Sequence, residues 1–433
     1  MLAPGGNDVV ISLLSSLSLA LLLATPALAA GPPPHGSPTT PPDGSGVARS
    51  EDTGSEIAGF PFLEIVESVP AETPLDHPGI RNTSEVWLEM IRSAQQSLRF
   101  AMFYASNREG SALDRVVRAI EEAVERRVKV QFLTEESFYR TYPETLDRLA
   151  RAGVEVRRLN TKETMGGVMH AKYFIVDGAE VFIGSQNFDW RSLEHIQEIG
   201  LRVVHPATVA NLCRIFARDF EAAGGEASCE EPAAVPERKV SDGDTVSWRL
   251  VASPTGYLPE GIAWDETTLV NLLDGARERI EVQLLTYNPV TREGEYFAAL
   301  ENALRRAAAR GVEVHLLLSD WCKRPYVIPY LKSLTLVPRI EVRLVTIPEH
   351  SSGFIPYARV IHAKYAVVDG KRAWVGTGNW EKGYFHDSRN VGIVVESPRI
   401  GGILHDFFES GWEGTYAEPV RPEVEYEPPR IRS

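Results

Sequence analysis

Residues 170–187 read HAKYFIVDGAEVFIGSQN, and residues 362–379 read HAKYAVVDGKRAWVGTGN. His170, Lys172, Asp177, Gly184, Ser185 and Asn187 align without a gap on His362, Lys364, Asp369, Gly376, Thr377 and Asn379. Chance does not place one polar constellation twice in a chain at equal spacing, so the chain carries a duplicated unit. A duplicated polar set in turn implies one site built from two halves. The apolar run 173–176 is short and bounded by Gly178, which reads as a buried strand. A second apolar run, 181–183, follows the turn and ends in the polar turn 184–187; 373–375 and 376–379 repeat the pattern. Strand alternation puts His170 and Lys172 on one side.

Each half therefore offers an imidazole, an ammonium, a hydroxyl and an amide. Lys172, Lys364, Ser185, Asn187, Thr377 and Asn379 are expected to face anionic oxygens, as a phosphate group requires. His170 and His362 have the chemistry of a nucleophile or a general acid near neutral pH. Asp177 and Asp369 each precede a glycine, the position of a turn-forming Asp, and are expected to be structural.

The pair of H-x-K-x4-D motifs resembles the phospholipase D superfamily over roughly residues 60–420. The resemblance implies an α/β fold of two similar lobes, each a mixed sheet flanked by helices, sharing one active-site cleft. It implies a metal-independent phosphodiesterase without cofactor, in which one His forms a phosphohistidine and the other acts as acid and then base. It also implies a carboxylate downstream of each motif. Glu198 lies 28 residues after His170, and the same position after His362 is Asn390. Glu198 is expected to orient His170, which makes His170 the nucleophile and His362 the acid, and Asn390 is expected to belong to the structural motif. Asp189-Trp190-Arg191-Ser192-Leu193, the stretch 355–360, Asn379-Trp380, Gly383-Tyr384-Phe385 and the stretch 66–70 further resemble the branch of animal lysosomal phospholipase D-like proteins and their poxvirus relatives. That branch implies either 5′ exonuclease action on single-stranded nucleic acid or phosphatidyl transfer.

The rest of the chain fits this frame. Residues 9–24 are apolar and are followed by Ala27-Leu28-Ala29, which reads as a cleaved signal peptide over 1–30 and predicts a secreted or periplasmic protein. The leading residues hold Asp8 and no Lys or Arg, a departure from the usual leader; an uncleaved N-terminal membrane anchor is the competing expectation, against which the run is short for a span. Residues 31–56, rich in Gly, Pro, Ser and Thr, read as a disordered linker. The lobes are expected over 57–235 and 245–420, with a tail over 421–433, and the composition shift at 224–248 marks their boundary. Thr83-Ser84 is expected to cap a helix running to Ala94. Helices over 111–125, 144–151, 267–276 and 296–310 are expected to alternate with strands over 98–104, 128–133, 154–159, 280–287, 312–318 and 340–345.

Of three cysteines, Cys213 and Cys229 are candidates for a disulfide and Cys322 has no evident partner; no Cys/His cluster has zinc spacing. His195, His386 and His405 read as surface or structural residues, with His386 close enough to the second motif to line the cleft. The net charge is −14, which disfavours broad polyanion binding while permitting a local basic cleft from Lys172, Lys364, Arg359 and Arg191. On that charge, and with no basic stretch interleaved with aromatics in the sequence, a phospholipid substrate, with peripheral membrane contact, ranks narrowly ahead of nucleic acid, against the branch resemblance. A two-lobed binding protein without activity is the remaining alternative.

Overall fold

Each motif stretch is a tight hairpin in the middle of a sheet. In the computed structural model, which describes residues 58–229, 238–241 and 244–432, Lys172–Val176 pairs antiparallel with Glu180–Gly184, and Tyr365–Val368 with Arg372–Gly376. The registers match: Tyr173 faces Ile183, and Tyr365 faces Val375. At the hairpin turns Asp177 and Asp369 take φ of 50° and 54°, the left-handed region that Asp tolerates when its carboxylate finds local partners. Asp177 accepts from the backbone N–H groups of Gln95, Gln96 and Ser97, and Asp369 from those of Arg277, Glu278 and Arg279. Each aspartate thus ties the motif turn to the start of the neighbouring strand.

The first sheet runs, in spatial order, Leu63–Ser68, Glu198–Val203, Glu180–Gly184, Lys172–Val176, Ser97–Met102, Lys129–Glu135, Glu155–Leu159. The second repeats it as Asp244–Ser253, Asn390–Glu396, Arg372–Gly376, Tyr365–Val368, Arg279–Leu284, Glu313–Ser319, Ile340–Val345. In both, the last three strands are parallel and the motif hairpin is antiparallel to them. The molecule is therefore an α/β protein of two similar lobes with mixed sheets.

Helices Thr83–Ser93 and Ala112–Glu125 cover the outer face of the first sheet, and Asp265–Asp274 and Ala299–Ala309 that of the second. The first of these begins one residue earlier than its sequence implies. Asn82, not Thr83 or Ser84, is the cap, its side chain accepting from Ser84 N–H at 2.9 Å. Asn competes well for that position because its carbonyl reaches the free N–H groups of the first turn.

Each outer face encloses its own apolar core, around Trp87 and Phe174 in one lobe and Trp374 and Trp380 in the other. A third core lies between the lobes. It joins residues of both sheets to Phe216 and Phe220 of helix Pro206–Ala222 and Phe407 and Phe408 of helix Pro398–Trp412. Burial of that shared surface fixes how the lobes face one another. Cys213 and Cys229 form a disulfide with Cα atoms 5.7 Å apart, and Cys322 is a buried free thiol. The leader and linker expected over 1–30 and 31–56 lie outside the described residues, as does 230–237 within the boundary segment. Among the described residues no helix is long and apolar enough to cross a membrane.

Candidate active site

Two short parallel bridges stitch the motifs of opposite lobes together. Met169 pairs with Arg389, His170 N–H donating to Arg389 C=O at 2.9 Å and Arg389 N–H to Val168 C=O at 3.0 Å. Gln197 pairs with Ile361, Gln197 N–H donating to Val360 C=O at 3.0 Å and His362 N–H to Gln197 C=O at 2.7 Å. Arg389 precedes Asn390, and Gln197 precedes Glu198. Each bridge therefore delivers the downstream polar residue of one lobe to the motif His of the other.

This corrects the pairing expected from spacing. Glu198 does not reach His170; its Oε2 lies 2.8 Å from His362 Nδ1. Asn390, expected to be structural, is the residue that touches His170, Oδ1 to Nδ1 at 3.1 Å. Equal spacing within the two halves reports their equivalence, but the two-fold arrangement exchanges the partners.

The network around each orienting residue fixes its direction. Asn390 donates from Nδ2 to Tyr384 C=O at 2.8 Å, and Thr377 Oγ1 donates to Asn390 Oδ1 at 2.9 Å. The amide oxygen thus faces His170, so Nδ1 of that imidazole carries the proton and Nε2 keeps its lone pair free. Glu198, fully buried, also accepts from the Ser192 hydroxyl. Burial pushes its carboxyl up, but His362, Lys364 and Ser185 outweigh that, and its pKa ends below the usual value.

Burial, followed by the charges of Lys172, Lys364 and His362, lowers the His170 pKa well below the ordinary value. His362 falls to about 4, burial outweighing the pull of Glu198 toward the charged form. Of the two, His362 has the carboxylate beside it and holds a proton more readily. Burial also pushes Lys172 and Lys364 well below the ordinary lysine range. Each ammonium donates to the carbonyl of its own motif His, Lys172 at 2.7 Å and Lys364 at 2.5 Å. Four cationic or cationisable groups out of water form a site that an anion stabilises.

The expected phosphate-holding set narrows. Thr377 donates to Asn390, and Ser185 Oγ lies 3.2 Å from both the carbonyl and the N–H of Ile199 while bonding Glu198. Both hydroxyls brace the orienting residues. Lys172, Lys364, Asn187 and Asn379 remain, all buried at the site. Nor do the two expected arginines serve as free cleft cations. Arg191 is held by Asp189, Nη2 to Oδ2 at 2.6 Å, and Arg359 donates to the carbonyls of Pro348 and Ala71. His386 does line the cleft, paired with Glu266 at 2.7 Å, whereas His195 is buried against His350.

A cleft of about 1140 Å³ opens on the second lobe, bounded by Asn379, Tyr384, Arg292, Arg324, Trp321 and Tyr326; Tyr384 separates it from the His170 ring. The His170 ring lies between Phe103 of the first lobe, centroids 4.9 Å apart, and Tyr384 of the second, at 4.8 Å. Sequence reading quoted Tyr384 only as a flank of the second motif and missed Phe103, Trp321, Tyr326 and the two cleft arginines. The available signal was position: Phe103 and Trp321 lie just past the carboxyl ends of parallel strands Ser97–Met102 and Glu313–Ser319, where open α/β sheets place their ligands.

Comparison with known proteins agrees with this geometry. A family model described as "Cardiolipin synthase, PLD-like domain" matches residues 87–220 and again 269–412. The chain is 30% identical over 410 residues to the mouse 5'-3' exonuclease PLD4, covering 84% of this chain and 80% of the relative. It is 28% identical to Phospholipase D Z of Dictyostelium discoideum, covering 83% and 90% respectively. Among solved structures, the phosphatidylserine synthase of Haemophilus influenzae shares the fold with a TM-score of 0.56 at 14% identity, covering 79% of this chain and 86% of that one. With the motif present in both halves and the halves closed on one cleft, the chain belongs to the phospholipase D-like family of phosphodiesterases.

Proposed function

We propose that this protein is an exported exonuclease that removes nucleotides from the 5′ end of single-stranded nucleic acid through a phosphohistidine. The observation that carries the substrate is a band of aromatic rings and arginines leading away from the two histidines. Beside His170, Phe103 contacts Phe138 at 4.1 Å, and Tyr104 stacks between Phe138 and Tyr142. Arg191 then spans Tyr142 and Tyr357, about 6 Å from each ring. Tyr357 meets Trp321, over which Arg324 lies at 5.4 Å. Tyr326 and Tyr357 are among the most exposed large hydrophobic side chains, at 57% and 40%. Every base has a face to stack, so such a band holds a single strand without reading its sequence. The preference for phospholipid drawn from net charge averages the whole surface, whereas the substrate meets the cleft. The mouse relative's name supports the nuclease reading, and the Dictyostelium relative's name keeps phospholipid as the second. The Cys213–Cys229 disulfide supports export into an oxidising compartment.

In the first step His170 Nε2 attacks phosphorus, the bond from phosphorus to the leaving oxygen breaks, and His362 Nε2 gives that oxygen its proton. Neutral His362 then takes a proton from water. The hydroxide oxygen bonds phosphorus, the phosphorus–nitrogen bond breaks, and both histidines return to their starting states. Lys172 and Lys364 hold the equatorial oxygens and supply the charge that a metal supplies elsewhere. Glu198 makes His362 the acid, and the Asn390 amide leaves His170 a neutral nucleophile. The sequence reading also named His170, but on a Glu198–His170 contact that the structure replaces with Glu198–His362; the present assignment rests on the proposal that the carboxylate marks the acid. The test offers 5′-labelled single-stranded DNA and phosphatidylcholine in parallel, with EDTA present. Release of the label as a mononucleotide in the first turnover is expected. Choline release without nucleotide release assigns the lipid reading, and loss of both activities to EDTA overturns the metal-free mechanism.

A further inference from the structure

The halves diverge where the long helix after each motif crosses its sheet. In the first lobe Arg99, beside Gln131 in register, approaches Cys213, the eighth residue of helix Pro206–Ala222, Nη1 to Sγ at 2.9 Å. In the second lobe the register-equivalent pair is Glu281 and His315, and the eighth residue of helix Pro398–Trp412 is His405. His405 Nδ1 lies 2.8 Å from Glu281 Oε1. One turn on stands Glu409, where the first lobe has Ala217.

One nitrogen and two carboxylate oxygens from Glu281, His405 and Glu409 lie within 4.8 Å of one another. Glu281 is 1% exposed, at the foot of the group. His315, on the same sheet face as Glu281 by register, has a buried Nδ1 with no hydrogen-bond partner, and its ring stacks on Trp412 of the same helix. None of these residues belongs to the catalytic cleft.

We propose that Glu281, His405 and Glu409 bind a divalent transition-metal ion of the zinc class, which fastens helix Pro398–Trp412 to the second sheet. One imidazole and two carboxylates form a donor set that suits such an ion, and spacing of four along a helix puts His405 and Glu409 on one face. His315, opposite Glu281 in register, lies outside the trio of donors. The place of a cation is now taken by Arg279, whose Nη1 is 3.4 Å from Glu281 and 3.2 Å from Glu409. Its side chain is 43% exposed, so it can turn into solvent as the ion enters. Ion and guanidinium compete for the same two carboxylates.

That competition makes the site testable apart from catalysis. Zinc chloride is titrated calorimetrically into the EDTA-stripped, re-dialysed protein, and the thermal midpoint is followed with and without zinc. One equivalent is expected to bind the native chain and raise its midpoint. His405→Ala and Glu409→Gln should lose that equivalent, the second while keeping the Glu281–His405 pair and hence the fold. Arg279→Gln should tighten binding by about tenfold, as removal of one competing charge does. Hydrolysis in EDTA should be unchanged in all three variants. Equal zinc binding in the native chain and Glu409→Gln, or no tightening in Arg279→Gln, overturns the assignment.

Discussion

Glu198 and Asn390 differ by one charge, and in the proposed mechanism that difference separates the roles of two otherwise equivalent histidines. Glu198 favours the protonated form of His362 and so, on that proposal, sets where the general acid loses its proton. Activity is then expected to fall as pH rises through that pKa. Removing the carboxylate leaves burial and the Lys364 charge unopposed, which lowers the pKa of His362 further. Glu198→Gln is thus expected to move the alkaline limb of the kcat/KM profile to lower pH. A p-nitrophenyl phosphodiester needs little leaving-group protonation, so the variant should lose far less rate on it than on DNA. His362→Ala should show the same contrast more strongly, losing ~10²–10⁴-fold on DNA. Equal losses on both esters would mean that Glu198 serves the nucleophile and that the roles are reversed. His170 and His362 were legible in the sequence as a pair, because their spacing repeats. Their partners were not, because the bonds cross between segments 164 and 220 residues apart.

At the scale of elements, the motif hairpin works because its turn is clamped. Asp177 and Asp369 each gather three backbone N–H groups that start a neighbouring strand. An alanine there leaves those donors to water or to nothing. Each of Asp177→Ala and Asp369→Ala should cost about 1–3 kcal/mol, read as a lower urea midpoint with unchanged slope. A loss near zero at both would show the clamps to be redundant. The helix and strand order was legible from hydrophobic period and turn residues, and the helix Glu144–Arg151 falls on its expected limits. Limits shifted where a cap outside the apolar run decided them, as Asn82 does for the first helix.

For the whole molecule, the shared core and one buried ion pair hold the lobes in the relation that catalysis needs. Arg389 is fully buried; its Nε and Nη2 bond the Asp219 carboxylate at 2.7 and 2.9 Å, and Nη1 bonds Ser253 C=O. Asp219 belongs to the helix after the first motif and Arg389 to the segment after the second, and Arg389 C=O receives the His170 N–H. Asp219→Ala leaves a guanidinium buried without its counter-charge, a change that costs ~3–5 kcal/mol. It should also lower kcat, since the bridge that seats His170 loosens. A variant with full kcat and an unchanged urea midpoint would separate this pair from the site.

The sequence by itself determined the duplication, the two-lobed α/β class and the His and Lys groups, because local periodicity and spacing record them. It also drew attention to Cys213 and Cys229, which the fold brings within bonding distance. Only the tertiary structure decided that Glu198 serves His362 and Asn390 serves His170. Only it drew Ser185 and Thr377 behind the orienting residues, set Phe103 against His170 and brought Tyr357 to Trp321 at the cleft. The physical reason is the two-fold closure: each half buries its apolar inner face against the other, and a side chain near the axis finds its nearest partner in the opposite lobe.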